Sequence, residues 1–152
     1  MKRNSLSVSC VGFFLFASLI SFSFADNTGL ANDVLKQTNQ FRKSENLPAL
    51  VMKQQLNAIA QQHSEDMASG RVAFGHDGFS GRQKKAGEDI QGMLAFAENV
   101  AYGVNTAEEV VTLWKNSPGH RRNMLGKYKY TGIGVAKSSD GQIYYTEIFV
   151  GL

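Results

Sequence analysis

Apolar positions recur along the chain with two periods. Leu30, Val34, Leu35, Thr38 and Phe41 follow one another at three- and four-residue steps. That spacing predicts an amphipathic helix over 28–45, stopped by Asn46-Leu47-Pro48. A second helix is predicted over 53–69, where Leu56, Ile59, Ala60, His63 and Met67 share one face and Gly70 closes it. Residues 71–97 carry five glycines and many polar groups and follow neither period, so they read as irregular, with room for one turn at 82–86. Residues 98–103 read as a short strand. Thr106 followed by Glu109 is a capping-box pattern that opens a third helix through Val110, Val111 and Trp114.

The period then drops to two. Residues 131–137 set Gly132, Gly134 and Ala136 against Ile133 and Val135, and residues 142–150 are apolar on both faces, as in a strand covered from both sides. Asp140-Gly141 between them is a strong hairpin signal. Helices flanking doubly covered strands predict an α+β chain folded as a three-layer α-β-α sandwich around a small antiparallel sheet.

Charge and cysteine usage depend on how the start of the chain is read. Lys2 and Arg3 precede an uncharged run from Val11 to Phe24, and Ser23-Phe24-Ala25 ends in small residues. This is the pattern of a secretory signal peptide, 1–25, leaving 26–152 as a single domain. The run is short for a membrane span. Cleavage after Ala25 removes the single cysteine, Cys10, so the mature chain is expected to fold outside the cytoplasm without disulfides. It also removes two basic residues, leaving 14 Lys and Arg against 13 Asp and Glu, a net charge of +1. Without clustered basic residues on one face, nucleic acid is excluded as a partner. A monomer is expected.

The chain contains three histidines. His63 sits on the apolar helix face and reads as a partly buried helix residue. His76, in FGHDGF, and His120, just after the Ser117-Pro118-Gly119 break, lie in loops that flank the predicted sheet. Imidazoles so placed can bind a metal or move protons near neutral pH. No HExxH or other compact metal motif is present, and 44 positions separate the two rings. Glu98, within AFAENVAYG, is surrounded by apolar residues, and a buried carboxylate needs partners. Glu147, within QIYYTEIFV, shares a strand face with Ile143, Tyr145 and Phe149; it reads as lying at a cavity edge or paired with an arginine such as Arg121 or Arg122.

HDGF, AENVAYG, AEEVVTLWKNSPGHRRNML, YTGIGVA and YYTEIF occur here in the order found in the CAP superfamily. That superfamily comprises cysteine-rich secretory proteins, antigen 5 and pathogenesis-related proteins, also called the SCP domain. The chain resembles its compact bacterial branch over roughly residues 30–150, and TNQFRKSENLPAL is similar to the family's first helix with Asn39 and Arg42. The resemblance implies an α-β-α sandwich with a cleft that carries two histidines and acidic partners. The cleft histidines map onto His76 and His120, and the Gly-Glu-Asn glutamate onto Glu98, with Ala97 in place of the glycine. Larger members carry a further glutamate where this chain has Ser117, which leaves Glu147 as a candidate substitute.

Two functions follow from the resemblance, beside a third reading in which the polar cluster is a purely structural hydrogen-bonded network that fixes the loops on the sheet. One is a secreted, non-catalytic binding module for a small lipid-like ligand or a cell-surface target, with the Gly75–Ala97 segment lining a groove and Tyr102, Tyr128 and Tyr130 offering aromatic contacts. The other is a zinc cleft with hydrolase-like activity, in which His76 and His120 ligate the ion and a carboxylate orients a ligating ring. The sequence shows no nucleophile, and no enzymatic activity is assigned from it.

Overall fold

The computed structural model describes residues 22–152, with side chains from residue 27 onward. The expected leader, residues 1–25, therefore lies outside the described residues, apart from the backbone of 22–25 in the first helical turn. Five helices and four strands alternate: α1 Phe22–Ser44, β1 Val51–Met52, α2 Gln54–Ala68, α3 Phe79–Asp89, β2 Ala95–Tyr102, α4 Ala107–Asn116, α5 Pro118–Met124, β3 Tyr130–Lys137 and β4 Ile143–Gly151. The strand order is β1-β3-β4-β2. β2, β3 and β4 pair antiparallel, while the two-residue β1 joins β3 in parallel, so the sheet is mixed.

Alternation along β4 divides the core in two. Tyr145 and Phe149 face one way and pack with Val34 and Phe41 of α1, Val110, Val111 and Trp114 of α4, and Met124 of α5. Ile148 and Val150 face the other way and pack with Leu56, Ile59 and Ala60 of α2 and Ala86 of α3. The three layers expected from the pattern are thus present.

The glycines of β3 set the spacing of the α2 layer. A Cβ at Gly132 would collide with the backbone of Leu56, and one at Gly134 with the backbone of Ala60. The helix therefore lies directly on the strand. Its amides also serve the strand edge that β1 is too short to cover: Asn57 accepts from Ile133 N at 3.0 Å, while Gln61 accepts from Val135 N at 3.0 Å and donates to Val135 O at 2.9 Å.

Residues 71–97 differ from expectation. They contain α3, and β2 begins three residues before the predicted strand. Within α3 only Ala86 is buried, which is why no apolar period announced it. Tertiary contacts hold the helix instead, among them the edge-on packing of Phe79 against Phe96 at 5.1 Å and the ion pair of Arg82 described below. The third predicted helix ends as α4 at Asn116, before the expected break. Ser117 has an extended backbone, and Pro118 takes the first position of a further short helix, α5, so that His120 lies in a helix and not in a loop. The Thr106–Glu109 capping box is present.

Candidate functional site

β2 is an edge strand, so elements from both helical layers can meet beyond it. Its outer carbonyls are closed from the α4–α5 side: Trp114 donates to Val100 O at 3.2 Å and Asn123 to Glu98 O at 3.2 Å. The buried Asn99 donates to the backbone carbonyl of His120 at 3.1 Å and accepts from Asn123 at 2.9 Å. These contacts fix the turn of α5 that carries His120 against β2.

The side chain of Glu98 points to the opposite face, toward α2 and α3, and is fully buried. Arg82 of α3 grips it through two bonds, Nε to Oε2 at 2.6 Å and Nη2 to Oε1 at 2.7 Å. His76 donates from Nδ1 to Oε1 at 2.9 Å. Burial alone would push this carboxyl up, but the bonds from Arg82 and His76, with the charge of Arg82, hold it below the usual glutamate range. Arg82 further donates to Asp77 O at 2.7 Å, which ties α3 to the turn that follows His76.

The bond from Nδ1 leaves Nε2 of neutral His76 as a lone-pair nitrogen, and nearly half of that side chain is exposed. His120 is half-buried. Its pKa is lowered by burial and further by the charge of His76. His63 is buried in α2; its Nε2 lies 2.9 Å from Gly75 O and 4.0 Å from Glu98 Oε1. Burial lowers its pKa, with the Gly75 carbonyl and the Glu98 charge opposing.

Of the sequence candidates, His76 thus bonds directly to Glu98, while the turn that carries His120 is tied to β2 through Asn99. Glu147 is elsewhere. The register pairs Asn99 with Glu147 and Glu98 with Ile148, and a one-residue offset in a strand reverses the face. Glu147 is buried in the α1 layer, where it accepts from Thr38 at 3.2 Å and Thr131 at 3.4 Å. Burial raises its pKa to about 8 against those bonds and the charge of Arg42. Its nearby cation is thus Arg42 rather than Arg121 or Arg122. Arg42 is itself buried and donates to the carbonyls of Pro48, Met124 and Gly126 at 2.9, 2.6 and 3.0 Å. Asn39 brackets Leu50 through bonds to its N and O.

The donor set bears on a metal. Both oxygens of Glu98 are occupied, and among the described residues no group of three or more His, Cys, Asp or Glu is arranged to hold an ion. His76 and His120 are the nitrogens that remain, and Ser117 stands in the break before α5.

A groove of about 530 Å³ runs between α2 and α3, lined by Ala58, Ile59, His63, Asp66, Arg82 and Lys85 among others. His63 and Arg82 thus face both the groove and Glu98. Tyr102 stacks on Tyr144 at 5.4 Å, with Phe74 against it at 4.6 Å, so it belongs to an exposed aromatic cluster beside the His76 loop. Tyr128 packs on Phe149, and Tyr130 lies beneath Lys53 and Lys129.

Residues 35–151 match the family model described as CAP, the cysteine-rich secretory protein family. The uncharacterized protein YkwD of Bacillus subtilis is 34% identical over 125 residues, covering 78% of this chain and 46% of that protein. A cysteine-rich secretory protein of Staphylococcus aureus superposes with a TM-score of 0.71 at 27% identity, over 85% of this chain and 40% of the other. An extracellular SCP-domain protein of Bacillus anthracis gives 0.69 at 29% identity, over 83% and 41%. The chain thus spans less than half the length of each of these relatives. Among the described residues no helix is long and apolar enough to cross a membrane.

Proposed function

The chain belongs to the CAP family of cysteine-rich secretory proteins, and from that premise we propose that it is an extracytoplasmic binding module whose site is the His76–His120 cleft with the adjoining α2–α3 groove. One observation carries this reading: both oxygens of the Glu98 carboxylate are engaged, in three hydrogen bonds from Arg82 and His76. A carboxylate so engaged and held ionised is a poor proton acceptor, and general-base work requires a group free to reach its proton. What remains is two imidazole faces and a groove that sets apolar Ala58 and Ile59 beside charged Arg82 and Lys85, of a size that suits a small lipid-like ligand with a polar head.

A second reading rests on the same bond. A carboxylate that accepts the Nδ1–H of a histidine is the arrangement that orients a metal-ligating ring. His76 Nε2 and His120 would be the protein ligands of a zinc ion, which would supply Lewis acidity in the cleft. Two nitrogens make a weak site.

Titration of the mature chain, 26–152, with a long-chain fatty acid and with zinc chloride tests both, alongside ester and peptide hydrolysis with and without zinc. Saturable binding of the apolar probe without turnover supports the module. Zinc-dependent turnover that is lost in His120→Ala overturns it in favour of the second reading.

A further inference from the structure

His63 is the one histidine that is almost wholly buried: its side chain is 2% exposed. It nevertheless touches the cleft at its most consequential backbone atom. A carbonyl only accepts, so the 2.9 Å contact with Gly75 O places the proton of His63 on Nε2. Gly75 immediately precedes His76, and its carbonyl belongs to the same rigid peptide plane as the His76 amide. Fixing that oxygen therefore fixes the direction in which His76 leaves the loop. The backbone there needs such a hold, because Gly75 adopts a φ of +147°. A Cβ on it would meet open space, so the requirement for glycine is conformational.

The surrounding tethers show what His63 adds. Upstream, Val72 N donates to Asp66 O at 3.3 Å and Arg71 pairs with Asp66. Downstream, Phe79 N donates to His76 O at 3.0 Å and Arg82 donates to Asp77 O at 2.7 Å. Between these, the hydrogen bonds that hold the loop to the body are those of His63 to Gly75 and His76 to Glu98. The first sets the backbone and the second sets the ring.

We infer that His63 is a positioning residue for the cleft: a buried strut from α2 that holds the Gly75 peptide so that His76 presents Nδ1 to Glu98 and Nε2 to the ligand. The inference rests on the cleft reading only in taking His76 as a working ring. Without the Nε2–H donor, the Gly75 carbonyl loses its partner, and between its end tethers the loop keeps the packing of Phe74 on Tyr102 and a His76–Glu98 bond whose backbone is no longer fixed. His76 then exchanges between orientations and tautomers.

The experiment uses two variants of the mature chain that are close to histidine in size. His63→Gln keeps an amide N–H as many bonds from the backbone as Nε2; His63→Leu fills the volume without a donor. Two readouts are taken: hydrogen exchange of the loop amides that are bonded, Val72 to Asp66 O and Phe79 to His76 O, and the ¹⁵N shifts of the His76 ring, which report its tautomer. His63→Leu is expected to speed loop exchange by about tenfold or more, while amides of β3 and β4 keep wild-type protection. It is also expected to convert His76 from the Nδ1–H form to mixed tautomers. His63→Gln is expected to restore both. Wild-type exchange and an unchanged His76 tautomer in His63→Leu overturn the inference, as does a folded His63→Gln protein that matches His63→Leu. Should His63→Leu not fold, His63→Asn, one bond short of the carbonyl, replaces it with the same criteria. Because both readouts are independent of any ligand, a cleft that binds nothing refutes the proposed function while leaving this contrast intact.

Discussion

Replacing Glu147 with glutamine removes an ionisation from the interior and should reverse the stability ranking of the two proteins across the pH range. Glu147 is fully buried between Thr38 and Thr131, and its folded-state pKa is raised to about 8. An unfolded glutamate titrates near 4.3. A raised carboxyl binds a proton in the native state that the unfolded chain releases, so its stabilisation is complete below the unfolded value. It is lost as pH rises through the folded one. At about 1.36 kcal/mol per unit, the full span sets an upper bound on the order of 5 kcal/mol between mildly acidic and alkaline pH. In Glu147→Gln that dependence disappears. Near pH 5 the variant should be weaker than wild type by about 1 kcal/mol, because an amide brings two donors to a site of hydroxyl groups. Above pH 8 it should be the more stable protein by a few kcal/mol. Urea unfolding of both proteins at half-unit steps from pH 5 to 9 measures the difference, in which every other titrating group cancels. A wild-type curve that stays parallel to that of Glu147→Gln over this range refutes the reasoning.

Other consequences follow from packing and from the leader. Gly134→Ala should abolish folding or cost more than about 3 kcal/mol, because the new methyl meets the backbone of Ala60 and α2 must lift from the sheet; circular dichroism and thermal melting decide it. Trp114→Ala should cost about 3–5 kcal/mol, since the indole is fully buried and donates to Val100 O, and urea unfolding measures the loss. With Cys10 in the expected leader, a reducing agent should leave the melting temperature of the mature protein unchanged, and N-terminal sequencing of the exported form should begin at Asp26.

Most of the fold was legible because burial and periodicity coincide in it. The apolar faces of α2 and α4 and the alternation of β3 are the surfaces they bury, and the β3 glycines are the clearance for α2. α3 was not legible, since its sequence SGRQKKAGED buries one alanine and the helix is held by contacts remote in sequence. The site shows the same division. The burial of Glu98 could be read from its apolar neighbours, but its arginine could not be chosen from sequence, because Arg82 lies 16 residues away in a segment without a period. Glu147 had the same apolar signature and proved to be on the other face. Only the β2–β4 register, fixed by three-dimensional pairing, separates the two carboxylates. His63 carried its helix-face signal correctly, while its bond to Gly75 depends on a glycine backbone that no periodicity reports.

The central proposal is that His76 and His120, carried by opposite layers, serve one cleft beyond β2. An NMR titration of the His120 ring in wild type and in His76→Ala tests it most directly. Burial and the His76 charge both lower the His120 pKa, so the ring should titrate below the ordinary histidine value of about 6.5. Removing His76 should move it upward. A His120 ring that titrates at or above the ordinary value, and does not respond to His76→Ala, would contradict the account.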